Sequence, residues 1–287
     1  MDTRFLESFI VVVESQSLSE AARKLNLTSA ALSLRIKALE NEVGFALVVR
    51  TGRTVSPTAS GLTLATRAKS FLADLRDFKT IGTERLLKGE LRLGVASSAV
   101  AGPLCNLLLG LSDRYPDIEL SVSKGSSSDL YRRLTNADLD LALMYKPQFD
   151  LPKSLEWRSV VKERYIVIAS KSLAEQDPHE LLRTQPFIRY DRTLWSGQLA
   201  DEYLRTAGIQ PRELMELDGL EAIAVLVDRG LGVSLVPNRS APWPEGLSLA
   251  KLPLPDEAPV RDLGLLWTRG SARLPLIEAV AEMTVDR

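Results

Sequence analysis

Apolar residues recur at helical spacing from the start of the chain, where Leu6, Phe9, Val12 and Val13 predict a first helix. Ser17 followed by Glu20 has the form of a capping box, and Ala21, Ala22 and Leu25 supply the inner face of a second helix. The paired alanines allow a neighbouring helix to approach closely. Thr28 is placed to cap a third helix whose Leu32, Ile36 and Leu39 share one stripe, so the break at Asn26-Leu27 gives a helix-turn-helix. Gly44 ends that helix. Residues 46–55 then read as two short strands turning at Thr51-Gly52, with Arg50 and Arg53 beside the tip, which is a wing. From Thr58 to Leu87 the pattern becomes one long helix, with Leu64, Ala68, Phe71, Leu75 and Phe78 stepping by four and three in alternation. Roughly 30 residues at ~1.5 Å each span ~45 Å, and the heptad-like seam predicts either a dimer through this helix or packing back onto its own domain.

Gly89 marks a change to alternating strands and helices. Strands are predicted at 91–97, 118–122 and 140–144, with helices at 99–115 and 128–135 between them, which makes a βαβαβ unit and a mostly parallel sheet. After the Pro-containing stretch 147–152, strands at 164–169, 186–190 and 232–237 and helices at 197–207 and 219–229 form a second α/β unit. Two such lobes place a ligand in the cleft at the carboxyl ends of their strands. The domains read as 1–58, a winged helix-turn-helix; 59–88, a linker helix; and 89–287, two α/β subdomains at about 89–146 plus a C-terminal part and about 160–265.

Composition narrows the class. With 287 residues, 45 % hydrophobic and 25 % charged, the chain has the make-up of a globular protein of about two domains, and not of a fibre or a disordered segment. No window approaches ~18 consecutive apolar residues, and the opening MDTRFLESF carries acids where a signal peptide is basic and then apolar, so a cytoplasmic protein off the membrane is expected. A lone Cys105 fits a reducing compartment and forms no internal disulfide. The net charge of −1 hides an asymmetry: residues 1–87 hold 12 Lys and Arg against 9 Asp and Glu. The electropositive front is suited to phosphate, although a solvated mixed-charge surface has the same signature.

These residues resemble the LysR-type transcriptional regulators. The likeness runs through Leu6, Phe9, Val12 to Glu14, residues 17–25, Ser33, Ile36, Leu39-Glu40, Gly44, Leu47, Arg50, Arg53 and Thr58-x-x-Gly61. It continues at 89–94, 115–118, 139–142 and 230–237, and so covers essentially the whole chain. It implies an α+β multidomain protein with an N-terminal winged helix-turn-helix, a dimerising linker helix and a two-lobed α/β effector domain like a periplasmic binding protein. Implied partners are double-stranded DNA at an interrupted inverted repeat near a promoter, a second copy in a homodimer or homotetramer, and a small-molecule effector, with RNA polymerase as a further candidate. No cofactor or metal is implied.

Carried over position by position, the resemblance nominates Thr28, Ser29, Ala30, Ser33, Leu34 and Lys37 on the third helix and Arg50, Arg53 and Thr54 on the wing for DNA. Short hydroxyls at a helix start let phosphate approach the backbone N–H groups, and arginines beside a wing suit the minor groove. Ser33 reads equally as a packing hydroxyl; for Arg53 a purely solvated charge is the lesser alternative. The chain departs from the family pattern at Ser29 (commonly Gln), Leu34 (commonly Arg) and Val48 or Val49 (commonly Phe). Ala30 and Leu34 can touch a thymine methyl but donate no bidentate hydrogen bond, so phosphate contacts and DNA shape are expected to dominate over direct readout. For the effector the resemblance nominates Ser97, Ser98, Ser126, Ser127, Tyr145, Arg189, Tyr190 and Asp218. Serines opening a helix, together with Arg189, suit a small anionic metabolite; as alternatives, Ser97 and Ser126 are caps and Arg189 is a surface ion pair.

An enzyme fits poorly. The single His179 makes no His-rich zinc site, no Gly-x-Ser-x-Gly elbow, P-loop or Gly-x-Gly-x-x-Gly fingerprint occurs, and Asp138 and Asp140 read as a turn and a strand start. The α/β half alone would also suit a ligand-binding module without a DNA role, such as a transport solute-binding protein, against which the front half speaks. A thiol-redox-responsive regulator would use Cys105, which lacks a resolving partner and is expected to be buried as a small apolar residue.

Overall fold

The computed structural model describes residues 2–51, 54–78, 89–239, 242–255 and 258–284. Two compact units are present, Met1–Glu84 with Asn136–Asp138, and Arg85–Thr135 with Leu139–Arg287.

In the first unit, local capping sets the boundaries. Helix α1 (Thr3–Ser15) starts at Asp2, whose carboxylate accepts the Arg4 N–H at 2.9 Å. Helix α2 (Leu18–Lys24) follows the Ser17 cap, and α3 (Ser29–Val43) follows Thr28, whose Oγ1 accepts the Ala31 N–H at 3.1 Å. Half of the expected capping box forms: Ser17 Oγ accepts the Glu20 N–H at 3.4 Å, while the Glu20 carboxylate pairs with Lys24 at 3.1 Å. Gly44, at φ 84°, closes α3 in the left-handed region that favours glycine. Strands β1 (Val48–Thr51) and β2 (Thr54–Pro57) pair antiparallel with Thr51 opposite Thr54, and Gly52 of the expected Thr51-Gly52 turn lies outside the described residues. Glu40 Oε1 accepts the Leu47 and Val48 N–H groups at 2.8 and 3.3 Å, and Val55 N–H donates to Gln16 O at 3.0 Å. The wing is thereby tied to α3 at one end and to α1 at the other.

In helix α4 (Ala59–Phe78) the buried face is offset from the expected seam, of whose Leu64, Ala68, Phe71 and Leu75 only Ala68 is buried. Ala65, Ala68 and Leu72 are buried in the core formed with Leu6, Phe9 and Val12 of α1. Phe71 remains 47 % exposed. Packing back onto its own domain thus accounts for one face of this helix, and the 79–88 part of the expected linker lies outside the described residues.

In the second unit, β3 (Gly89–Ala96) pairs in parallel with β4 (Ile118–Gly125) and β5 (Leu141–Tyr145), with α5 (Cys105–Arg114) and α6 (Ser127–Thr135) as crossovers. The helix expected from 99 is shortened, because Gly102 at φ 147° and Pro103 kink the chain ahead of Cys105. Strand β6 (Leu155–Ser170) is more than twice the expected length and belongs to both lobes. Its first part pairs antiparallel with β11 (Val260–Thr268), which completes the sheet order β4-β3-β5-β11-β6. Its second part pairs antiparallel with β9 (Ser234–Pro237) and β10 (Leu249–Pro253). That second sheet continues through a parallel bridge between Phe187 and Val233 to β7 (Pro186–Tyr190) and β8 (Arg212–Leu217). Along β6, Tyr165, Val167 and Ala169 enter one core and Ile166 and Ile168 another, as expected of a strand covered on both faces. Helices α7 (Pro178–Thr184), α8 (Trp195–Thr206), α9 (Leu220–Asp228) and α10 (Leu274–Glu282) complete the layers. The chain crosses between lobes on β6 and returns on β11, so two paired strands are the hinge, and the carboxyl ends of β3, β5 and β7 open on the space between lobes.

Candidate functional site

The faces of α3 separate cleanly. Leu32, Ile36 and Leu39 are buried, whereas Thr28, Ser29, Ala30, Leu34 and Lys37 are exposed and Ser33 is half-buried. Positions 30, 34 and 37 fall on one outward stripe. Leu34 is 69 % exposed, more than any other large apolar side chain among the described residues. With Thr28 Oγ1 occupied by Ala31, the N–H groups of Ser29 and Ala30 open the helix without intrahelical partners. Thr54 begins β2 and is exposed, Arg50 stands in β1 opposite Val55, and Arg53 lies outside the described residues. Half-buried Arg35 is engaged within the unit: its Nη1 donates to Ser8 Oγ at 3.1 Å, and Ser8 Oγ donates to Arg4 O at 2.7 Å, so this guanidinium braces α3 against α1.

Between the lobes lies a cavity of about 170 Å³. Ser97, Ser98, Ser126, Ser127 and Tyr145 line it from the first lobe, Tyr190 and Asp218 from the second. The sequence missed Ser128, Leu194, Trp195 and Ser196, which also line it. Ser128 could have been found as the third serine of a run at a helix start; Ser196 comes from the other lobe and had no comparable signal. Ser126 is the α6 cap, its Oγ accepting the Asp129 N–H at 3.2 Å. Ser98 Oγ donates to Tyr145 Oη at 3.1 Å, and Ser127 Oγ accepts the Tyr145 N–H at 3.1 Å, so one tyrosine fixes both serine turns. Burial pushes the Tyr145 hydroxyl up to about 12 against the opposing charge of Arg261, and burial also raises Tyr190. Both phenols therefore stay neutral near pH 7. Trp195 at the rim packs edge to face on Tyr131 and Phe149, with centroids 6.1 and 5.7 Å away.

Arg189 is corrected. On β7 its neighbour Tyr190 faces the cavity, so by strand alternation Arg189 faces the other way. There it is buried against Asp201 and Glu213, the latter at 2.6 Å. The cation beneath the cavity is Arg261, which the sequence did not mark. Its Nε donates to Glu163 Oε2 at 2.6 Å and its Nη1 to Ser196 Oγ at 3.3 Å, while its guanidinium lies 3.8 Å from the Tyr145 ring centroid. Arg261 and Glu163 face each other across β11 and β6, the two hinge strands, and both are almost wholly buried.

The other chemistry-bearing residues have structural roles. Asp140 receives the Arg92 guanidinium at 2.7 and 3.0 Å; burial pushes its carboxyl up, but Arg92, with Arg273, outweighs this and holds it below the usual range. His179 Nε2 lies 2.7 Å from Tyr203 Oη. Cys105, expected to be buried, is exposed, because the kink at Gly102-Pro103 resets the helical phase just ahead of it. Among the described residues no group of three or more His, Cys, Asp and Glu could hold a metal ion, and no helix is long and apolar enough to cross a membrane.

Comparison with known proteins agrees with both halves. Residues 3–62 match the bacterial regulatory helix-turn-helix protein, lysR family, and residues 84–287 match the LysR substrate binding domain. An uncharacterized HTH-type transcriptional regulator, YnfL of Escherichia coli K12, is 31% identical over 96% of this chain and 95% of its own length. The regulator IlvY of the same organism is 27% identical over 97% of each chain. Among solved structures, full-length OxyR of Pseudomonas aeruginosa aligns with a TM-score of 0.75 at 21% identity, covering 99% of this chain and 94% of that one. Full-length CbnR in complex with its target DNA aligns with a TM-score of 0.67 at 18% identity, covering 99% and 100%. With a capped helix-turn-helix and wing in front, a hinged two-lobed α/β unit behind, and a family match across each, the chain belongs to the LysR family of transcriptional regulators.

Proposed function

We propose that this regulator binds an interrupted inverted repeat in promoter DNA as a homodimer or homotetramer assembled through α4, and that a small carboxylate-bearing metabolite in the interlobe cavity changes how it sits there. The reading places it in the cytoplasm without enzymatic activity, with RNA polymerase as a candidate partner. The observation that carries it is the pairing, in one chain, of an outward stripe on a capped recognition helix with a hydroxyl-lined cavity spanning a hinge. On the DNA side, Thr28, Ser29, Ala30, Ser33, Leu34, Lys37, Arg50, Arg53 and Thr54 make the contacts. On the effector side, Ser97, Ser98, Ser126, Ser127, Tyr145, Tyr190 and Asp218 form the wall, and Arg189 is left out. The exposed Phe71 of α4 supports a second copy along that helix.

The test begins with selection of binding sites from random duplexes by the full chain, followed by footprinting with and without candidate acids. An inverted repeat protected over both halves is expected, with a footprint that alters when acid is added. Arg53→Ala is expected to weaken binding about tenfold or more and to flatten its salt dependence. Ser29→Ala and Leu34→Ala are each expected to stay within about threefold, because neither side chain can make a bidentate base contact. The reverse ranking would refute the dominance of phosphate contacts, and a selection that returns no preferred sequence would refute specific binding.

A further inference from the structure

We infer that the effector is a small zwitterion of the amino-acid class, its carboxylate held at the serine turns of the first lobe and its ammonium at Asp218 of the second; this deepens, and rests on, the reading of the interlobe cavity as the effector site.

The argument turns on where charge is compensated. Four carboxylates of the second lobe hold arginines: Glu213 and Glu216 pair with Arg192 at 2.7 and 3.2 Å, and Asp201 and Glu221 pair with Arg189 and Arg239. Asp218 is different. It is exposed, it has neither an ion pair nor a hydrogen bond among the described residues, and it is the one charged side chain lining the cavity. A purely anionic ligand would meet this carboxylate across a space of only about 170 Å³, with the guanidinium of Arg261 beneath already engaged by Glu163. An ammonium group on the same ligand converts that repulsion into a charge-assisted hydrogen bond.

The opposite wall has the complementary character. Ser126 caps α6 with its hydroxyl, which leaves the N–H groups of Ser127 and Ser128 directed from the helix start. Ser97 and Ser98 stand at the end of the adjacent strand β3. The Ser97 and Ser98 hydroxyl protons go to Gly125 O at 3.4 Å and Tyr145 Oη at 3.1 Å, so the helix-start N–H groups are the donors left for a carboxylate, and they have nothing to offer an ammonium. The volume lies below that of drug-sized pockets, ~300 Å³ and upward, which points to a ligand with few heavy atoms. Because the two ends are held by different lobes, only a ligand carrying both charges engages both sides of the hinge.

The test uses the full chain and calorimetry with the twenty protein amino acids, each beside the carboxylic acid lacking its amine and the amine lacking its carboxylate. At least one amino acid is expected to bind, its des-amino acid about tenfold or more weakly, and its decarboxylated amine not measurably. Asp218→Asn, at an exposed position, is expected to fold normally, to lose about tenfold affinity for the amino acid, and to bind the des-amino acid as well as or better than the parent chain. Des-amino acids binding as tightly as their amino acids, or a preference that survives Asp218→Asn, would overturn the zwitterion and leave the carboxylate reading standing. Binding of neither kind of acid would overturn both.

Discussion

Replacing Glu163 by Ala is expected to destabilise the two-lobed unit by about 3–5 kcal/mol, the cost of leaving a buried cation without its counter-charge. Arg261 is 1 % exposed and Glu163 3 %, so water cannot replace the lost carboxylate without opening the hinge. The stranded guanidinium would keep a neutral hydroxyl, Ser196, and the Tyr145 ring. Neither compensates a full charge. For a unit of about 200 residues this corresponds to a fall in midpoint temperature on the order of 10 °C. All four tryptophans (Trp157, Trp195, Trp243, Trp267) belong to this unit, so their fluorescence follows its unfolding without interference from the DNA-binding half. Glu163→Leu combined with Arg261→Met is expected to recover most of the loss, since an apolar pair of similar volume avoids the desolvation of both ions. The double variant tests a second role as well. Arg261 touches Tyr145 of one lobe and Ser196 of the other, so effector affinity should fall even where stability has returned. A single substitution with unchanged stability would show that the pair is solvated.

What could be read in advance follows the range of the interactions involved. The helix-turn-helix was legible because Ser17, Thr28 and Gly44 act within three or four residues of themselves, and the apolar stripes are regular. Strand β7 was placed to the residue, since ProPheIleArgTyr is bounded by its own composition. The first half of β6 lies outside the expected strand: Leu155 and Trp157 alternate with Glu156 and Arg158, but Val160-Val161 and then Lys162-Glu163 break the alternation, and the segment is held by its β11 partner about 100 residues away. The same separation hid the Arg261–Glu163 pair. The resemblance puts Arg189 and Tyr190 together in the cleft, whereas adjacent residues of a strand project to opposite sides. In α4 the heptad-like seam marks Leu64, Ala68, Phe71 and Leu75, whereas packing on α1 selects Ala65, Ala68 and Leu72, a choice that the helix's own pattern does not contain. Cavity residues reached from one lobe were found more readily than those supplied by the other, Leu194, Trp195 and Ser196.

Gly61→Ala is expected to disable DNA binding through the backbone alone. A Cβ at this position would stand 2.1 Å from Leu47 O and 3.0 Å from Leu47 C, well inside any tolerated contact, and both atoms are main chain. The close approach is built by Thr58, whose N–H donates to Leu47 O at 3.0 Å and whose Oγ1 donates to Ala46 O at 2.9 Å and accepts the Gly61 N–H at 2.9 Å. This explains why Thr58-x-x-Gly61 is a unit: the threonine fastens the start of α4 to the entry of the wing, and only glycine fits beneath the fastening. Leu47 is in turn held by Glu40 of α3, so displacing it moves the wing entry relative to the recognition helix. A loss of about 2–4 kcal/mol in the helix-turn-helix unit is expected, as for other forced overpacking, with DNA affinity reduced tenfold or more. Gly44→Ala is the comparison. It has φ 84° but nothing within 4 Å of the added Cβ, so it is expected to cost only about 1 kcal/mol, with DNA affinity changed by about threefold at most. Thermal unfolding by far-ultraviolet circular dichroism and titration of a selected duplex separate the two, with effector binding by the other unit as the control. Equal behaviour of the two variants would mean that α4 does not rest on the Leu47 carbonyl, and that the conformational demand on glycine outweighs the steric one in this domain.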